Sequence, residues 1–387
     1  MMKIALITHY YSGHRGGVEI AAGKLAENLA NNFPLEINWL ASDADIPPTC
    51  PKNLIPIPLV SSNIIERRSS LPYPIISMKS IVKLWQSIKK VDIVHIHDYI
   101  YMSNIIASIF AKVLHKPLII TQHIGWIPYS SKILRFILGF LNQFLSKLIF
   151  KSSGTVVFIS DTVKKYFESL YSIQSTSKLI PNGTDCQVFS FKGEETKFVL
   201  RQQMGYSSGK KIIIFVGRFV EKKGLPIIKQ VAELLPDFKF ILVGWGLIEP
   251  DKWQLTNVSV LKNKSSEEVS DLYRVSDLLF LPSKGEGFPL VVQEAFACGL
   301  HSLISDEVVD AYPGMRDYIY SLPALSTPEI WAKKIEQFFW ETEHKASSLE
   351  LSQFAQQHWN WKETAKKYFQ LYEESINRSF KNCNSCE

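Results

Sequence analysis

Few of the chain's residues can anchor or staple it. No span of about twenty uninterrupted apolar residues occurs, so nothing here crosses a bilayer unaided. Cysteine is scarce and odd in number: Cys50, Cys186, Cys298, Cys383 and Cys386. A disulfide framework is therefore not expected, and the dispersed thiols suit a reducing compartment. Cys383 and Cys386 form a CxxC with no second pair to complete a zinc site, so they read as a frayed tail. A leader segment is also missing from the reading, because Met1-Met2-Lys3 runs straight into a strand-like stretch. There is no GxGxxG after that first strand, which leaves a nicotinamide or flavin site with little support. No repeat of fixed period is visible. Lys and Arg exceed Asp and Glu, 43 to 37, for a net charge of +6. They form only short clusters such as Lys222-Lys223 and Lys366-Lys367. That spread argues against a nucleic-acid surface and allows an anionic substrate or an acidic membrane face.

What is present is apolar mass: 46% of 387 residues are hydrophobic, enough for two cores of ordinary size. The first half alternates strand-like and helix-like stretches. Strands are predicted at 3–8, 35–41, 91–96, 118–121 and 155–159, and helices from Gly17 to about residue 31 and at 81–89, 103–114 and 132–150. The proline-rich stretch 46–58 reads as loop. Residues 181–209 lack clear periodicity and are expected to hold the inter-domain linker. A second alternating series follows: strands at 211–216, 239–243, 258–261 and 278–281, and helices at 225–235, 266–275 and 290–297. The tail, 328–377, reads as helical. Strands alternating with helices imply parallel sheets with right-handed crossovers, and ligands collect beyond the carboxyl ends of such strands.

Four places carry candidate chemistry. The stretch 285–299, GEGFPLVVQEAFACG, reads as a glycine turn followed by a helix that stops at Gly299. Backbone N–H groups of Gly287, Phe288 and Leu290 and the helix dipole offer an anion site there. Pro289, lacking an N–H, is tolerated in the first turn. Glu286 and Glu294 beside that end suit a ligand with both hydroxyls and phosphates; the plainer reading is a buried helix with two solvent-facing acids. Gly217-Arg218 and Lys223-Gly224 follow a predicted strand. Two cations there can offset a diphosphate, or else they are ordinary solvated charges. His123 stands just past a strand end, where a satisfied histidine is the alternative to a functional one. Gly16-Gly17 before a helix can let a substrate approach the backbone, and Glu19 behind them is also a good first-turn residue. His95, His97 and Asp98 look superficially like metal ligands, but no third cluster completes a site, so no metal is expected. In 132–150, Ile133, Phe136, Ile137, Phe140, Leu141, Phe144 and Leu148 share a wide apolar face opposite Lys132, Arg135, Gly139, Asn142, Gln143 and Ser146. That helix either touches lipid or covers a sheet with its apolar side inward, and the second reading is preferred.

Taken in order, these motifs resemble a retaining glycosyltransferase of family 4. Glu286-Gly287-Phe288 through Glu294-Ala295 resembles the family's paired-glutamate motif, and Gly217-Arg218 with Lys223-Gly224 its diphosphate signature. Gly16-Gly17-Val18-Glu19, Thr121-Gln122-His123, Pro181-Asn182-Gly183 with Asp185, Leu272-Tyr273 before Asp277, and Trp359-Asn360-Trp361 also match. The resemblance implies an α/β fold of two facing Rossmann-like domains, the GT-B fold. The acceptor-side domain would span 1–190, completed by a helix at about 360–380 that crosses back to it, and the donor-side domain 205–355. It implies metal-independent, retaining transfer of a hexose or N-acetylhexosamine from a nucleotide-diphosphate sugar to a glycan or lipid-linked acceptor, in bacterial surface polysaccharide or lipopolysaccharide assembly. By position, Arg218 and Lys223 would bind the diphosphate and Glu294 the ribose. Glu286 would hold the sugar hydroxyls, with Gly287, Phe288, Pro289 and Leu290 along sugar and phosphate. His123 would stand near the anomeric carbon. Gly16, Gly17 and Glu19 would line the approach of donor and acceptor, with Gly217 ahead of Arg218. No cofactor beyond the donor and no nucleic acid is implied. A cytoplasmic enzyme, at most peripheral on the inner membrane face through 132–150, is expected. His301 and residues 306–310 depart from the family pattern. Alternatives are a nucleotide-sugar epimerase of related architecture and a non-catalytic nucleotide-sugar-binding scaffold.

Overall fold

Runs of Ile, Leu and Val with no polar alternation demand burial on both faces, and a parallel sheet under helices supplies it. The computed structural model describes residues 1–384 apart from 15, 70, 126–131, 174, 208, 285 and 342, with side chains left aside at 69, 132–135 and 379–384. Gly285, Cys386 and the side chain of Cys383 thus lie outside the described residues. The chain divides into two compact units, one of Met1–Gly183 with Trp361–Glu387 and the other of Thr184–Asn360.

Unit 1 holds seven parallel strands: β1 Met2–Ile7, β2 Leu35–Ser42, β3 Leu54–Leu59, β4 Ile93–His97, β5 Leu118–Gln122, β6 Thr155–Phe158 and β7 Thr176–Leu179, in the spatial order β3-β2-β1-β4-β5-β6-β7. Every residue of β4 and β5 is buried. The order reverses between β1 and β4, so the loops after these two strands diverge and leave a crevice at their carboxyl ends. Two elements depart from the sequence expectation. Residues 46–58 contain β3, with Pro56 and Pro58 inside it. It is an edge strand, and prolines two residues apart put both missing donors on the outer side, where nothing pairs. Within 132–150 the helix is real but its faces are inverted. It runs through Lys132–Phe140, a π turn at Leu141–Leu145, and Ser146–Ser152. Asn142, Ser146, Ile149 and Phe150 are buried, while Phe136, Phe140, Phe144 and Leu148 are exposed. Asn142 accepts from Tyr99 and donates to the Tyr166 hydroxyl at 2.9 Å, and Ser146 bonds Asn142 O and the Tyr171 hydroxyl. These polar bonds, together with burial of Ile149 and Phe150 in the core, fix which side of this helix faces in.

Trp361–Asn384 returns to unit 1 and packs on the helix Gly17–Asn32. Phe33 and Phe369 stack at 4.6 Å, and the Tyr372 hydroxyl meets His95 Nδ1 at 2.8 Å. Tyr368, Leu371 and Tyr372 are buried there.

Unit 2 holds six parallel strands: β8 Ile212–Val216, β9 Lys239–Val243, β10 Val258–Leu261, β11 Leu278–Leu281, β12 His301–Ser305 and β13 Tyr320–Leu322, in the order β10-β9-β8-β11-β12-β13. Its reversal falls between β8 and β11. The stretch expected as linker instead contains the helix Glu194–Gln203, which belongs to unit 2. Asp277 holds it there, accepting from Lys197 Nζ at 2.8 Å, Arg201 at 2.7 Å and the N–H of Ile212 at 2.9 Å. A helix fixed by long-range ion pairs shows little hydrophobic period, which is why the pattern hid it. The units therefore part at Gly183/Thr184, ahead of the expected residue 190.

Candidate functional site

The reversal in unit 2 places two loops side by side. The first follows β8 and carries Gly217, Arg218, Lys222 and Lys223; the second follows β11 and carries Glu286 to Pro289. A main-chain bond joins them, Lys284 N–H to Lys222 O at 2.8 Å. Gly224 permits the approach: its φ is +81°, and a Cβ there would lie 2.4 Å from Pro282 O. The result is an ion pair between residues 63 apart in sequence, Lys223 Nζ to Glu286 Oε1 at 2.9 Å, with both side chains largely buried. Burial works to raise the Glu286 pKa, but the charges of Lys223 and Lys222 outweigh it and hold the carboxyl below its ordinary value. Arg218 lies exposed with its guanidinium 5.1 Å over the Trp245 ring.

The helix Leu290–Ala297 starts at Pro289, and no side chain caps its first turn. Those donors remain for an anion. Phe288 is buried, stacked with Tyr312 and edge-on to Trp359 at 5.3 Å. Its side chain anchors the turn, so only its backbone is offered to a ligand. Glu294, one turn into the helix, accepts from the hydroxyl of buried Tyr273 at 3.1 Å. Burial raises its pKa to about 7, against the lowering effect of that bond. Glu286 and Glu294 thus differ in character: one is held ionised by cations, the other is poised near neutrality. Tyr273 and Trp245 were not singled out as site residues from the sequence. Their partners lie 21 and 27 residues away, beyond any periodic signal.

In unit 1 the loops after β1, β4 and β5 bring together His9, Glu19, His97, Asp98 and His123. Glu19 is buried, and its Oε1 lies 2.9 Å from His9 Nε2. Burial would raise its pKa, yet His9 keeps it below the usual value. A Cβ on Gly16 would come within 2.1 Å of that carboxylate, while one on Gly17 would meet nothing within 4 Å. Glu19 therefore shapes the glycine turn from beneath, and Gly17 leaves open space. His9 stacks on Tyr101 at 3.7 Å.

His123 is nearly inaccessible, its Nε2 2.8 Å from His97 Nδ1. Burial depresses its pKa to about 3, so it is neutral at physiological pH. Asp98, at φ +60°, accepts the N–H groups of His123 at 2.7 Å and Ile124 at 3.2 Å, which fixes the His123 loop. His95 is occupied by Tyr372 and Thr121. Among the described residues no group of three His, Cys, Asp or Glu side chains is set to hold a metal ion. His9 Nδ1, His97 Nε2 and Asp98 Oδ2 are buried with no hydrogen-bond partner among the described residues. Such atoms at the end of a parallel sheet mark a polar site rather than a finished core.

Comparison with known proteins agrees with this geometry. The model for "Glycosyltransferase Family 4" matches residues 15–188, and that for "Glycosyl transferases group 1" matches 196–319. TuaC of Bacillus subtilis, whose name places it in teichuronic acid biosynthesis, is 29% identical over 222 residues, 56% of this chain and 53% of its own length. The Escherichia coli UDP-Gal:α-D-GlcNAc-diphosphoundecaprenol α-1,3-galactosyltransferase is 26% identical over 247 residues, 59% of this chain and 62% of its own. The chain thus spans between half and two thirds of these two relatives. Among solved structures, sucrose-phosphate synthase from Thermosynechococcus elongatus superposes with a TM-score of 0.77 at 18% identity, covering 98% of this chain and 100% of its own. Anabaena HepE, solved with UDP and glucose, superposes with a TM-score of 0.72 at 17% identity, covering 97% and 100%. Two parallel-sheet units, a helix returning to the first of them and these matches together establish the class: the chain belongs to glycosyltransferase family 4, with the GT-B fold.

Proposed function

We propose that the chain transfers a hexose or N-acetylhexosamine, with retention of configuration and without a metal, from a nucleotide-diphosphate sugar to a glycan or lipid-linked acceptor in bacterial surface polysaccharide assembly. The observation that carries the reading is the cationic loop pair of unit 2, with Lys223 on Glu286 and with Lys222 feeling the charges of Glu286, Lys223 and Arg218. A departing diphosphate needs its charge offset, and these side chains with the uncapped helix start supply positive potential at one point. Lys223 is already paired, so the diphosphate would share it with Glu286, and the carboxylate then turns to the sugar hydroxyls. Glu294, held by Tyr273, would accept from the ribose hydroxyls.

In the reaction the bond from the anomeric carbon to the diphosphate oxygen breaks and the bond to the acceptor oxygen forms on the same face. The acceptor proton passes to the departing diphosphate. His123, neutral and braced by His97 and Asp98, would stand near the anomeric carbon, and open Gly17 would admit the acceptor. TuaC and the galactosyltransferase support a surface-glycan setting by their names. With a lipid-linked acceptor the enzyme would work in the cytoplasm at the inner membrane face.

Arg218→Ala and Glu294→Ala are each expected to cut transfer by about a hundredfold or more. Circular dichroism and melting should stay near wild type for Arg218→Ala, since that side chain is exposed. Radiolabelled donor transfer measures the effect, and near-normal turnover in either variant counts against the site. A thermal-shift screen of uridine, guanosine and adenosine diphosphate sugars identifies the base, because a ligand of the folded state must raise its melting point.

A further inference from the structure

Unit 1 turns an apolar stripe to solvent. Phe136, Phe140, Phe144 and Leu148 recur every fourth residue along one side of the helix and are 76%, 55%, 56% and 64% exposed. Phe140 and Phe144 pack on each other at 4.6 Å, and each stays more than half exposed. The helix cannot roll to bury them. Asn142 and Ser146 pin the opposite side through bonds to Tyr99, Tyr166 and Tyr171 that rolling would break. The adjoining helix Met102–Val113 packs on Ser146–Ser152 and carries exposed Ile109 and Val113 of its own.

The charge around it is one-sided. Residues 67–160 hold twelve Lys and Arg against Asp92 and Asp98 alone, and Asp98 is buried. That segment is more positive than the whole chain at +6, so the remainder is net negative. Lys112, Lys147 and Lys151 rise exposed beside the apolar residues, and no acid occurs between Asp98 and Asp161.

We propose that this face of unit 1 docks on an anionic bilayer surface, with the helix lying in the interface. Phenylalanine and leucine would enter the boundary between headgroups and acyl chains, and the lysines would snorkel to the phosphates. A second copy of the chain fits less well, because a two-fold contact here would set the lysines against their own mates. The inference does not depend on the transferase reading, and its test needs no donor or acceptor.

The test is flotation of the full-length protein with vesicles of phosphatidylcholine alone or with one third phosphatidylglycerol. The expected result is binding to the anionic vesicles at low salt, weakened at high salt, and little binding to phosphatidylcholine. Phe140→Ser/Phe144→Ser, which alters exposed residues, is expected to lower partitioning about tenfold or more with an unchanged melting temperature. Lys147→Glu/Lys151→Glu should lower it too and flatten its salt dependence. Absence of binding to anionic vesicles at low salt overturns the proposal, as does wild-type binding by both double variants. So does a solution dimer that the phenylalanine pair dissolves, which would give the face to a second copy.

Discussion

Single side chains decide the chemistry of the two glutamates. Both belong to one motif eight residues apart, yet Glu286 is kept ionised by lysines while Glu294 is pushed to about 7 by burial. The sign of the second effect follows directly. Its folded-state value lies above the unfolded one, so its contribution to stability is fully present below the unfolded value and is lost as pH rises through about 7. Binding runs the other way, because only the carboxylate accepts from two ribose hydroxyls. Affinity for a nucleoside diphosphate is expected to rise between about pH 6 and about pH 8, and Glu294→Gln should flatten that rise. Calorimetric titration of UDP or GDP across the range checks it; an unchanged slope in the variant removes Glu294 from the ribose. The residues themselves were visible in the sequence as acids in a glycine-flanked stretch. Their divergence was not, because it comes from Lys223 and Tyr273, which reach them only through the fold.

Among the elements, the loops beyond β8 and β11 matter most, and their contact hangs on Gly224. Any side chain there meets both a positive φ and the Pro282 carbonyl. Gly224→Ala is expected to cost about 2–4 kcal/mol in urea unfolding and to abolish diphosphate binding, since the loops must part. A loss below about 0.5 kcal/mol would mean that the loops are not tightly joined. Periodicity located most strands and helices of both sheets from sequence. It assigned nothing to the helix Asp161–Leu170 or to β7, β12 and β13, and it misread three places whose stability is not written as a period: the proline-bearing edge strand β3, the ion-paired helix Glu194–Gln203, and the inward face of 132–150. In each, a partner distant in sequence supplies the reason.

For the molecule as a whole, the notable connection is the return of Trp361–Asn384 to unit 1. Tyr368, Leu371 and Tyr372 each bury a side chain worth about 1.5–3 kcal/mol against the first unit. Gly183 is also needed where the segments meet, as a Cβ on it would lie 2.6 Å from the Trp361 backbone. A chain ending at residue 360 is therefore expected to leave unit 1 unfolded or aggregated, with unit 2 still able to melt cooperatively. Hydrogen exchange on the truncated chain checks this; native protection in β1 and β4 would show the helix to be dispensable.

Order and composition alone settled that this is a paired α/β chain of parallel sheets, and they marked the glycine, arginine, lysine and glutamate positions at the strand ends. Those are local facts: strand runs, helix periods and turn residues within a few positions of one another. Only the folded chain decided that Lys223 lies on Glu286, that Asp98 and His97 brace His123, that Glu19 works beneath Gly16, and that the phenylalanines of 136–144 face water. Each of these depends on which strands are neighbours at a sheet reversal, or on which buried polar atoms find partners. Burial and hydrogen bonding are properties of distance in space, which one-dimensional spacing does not contain.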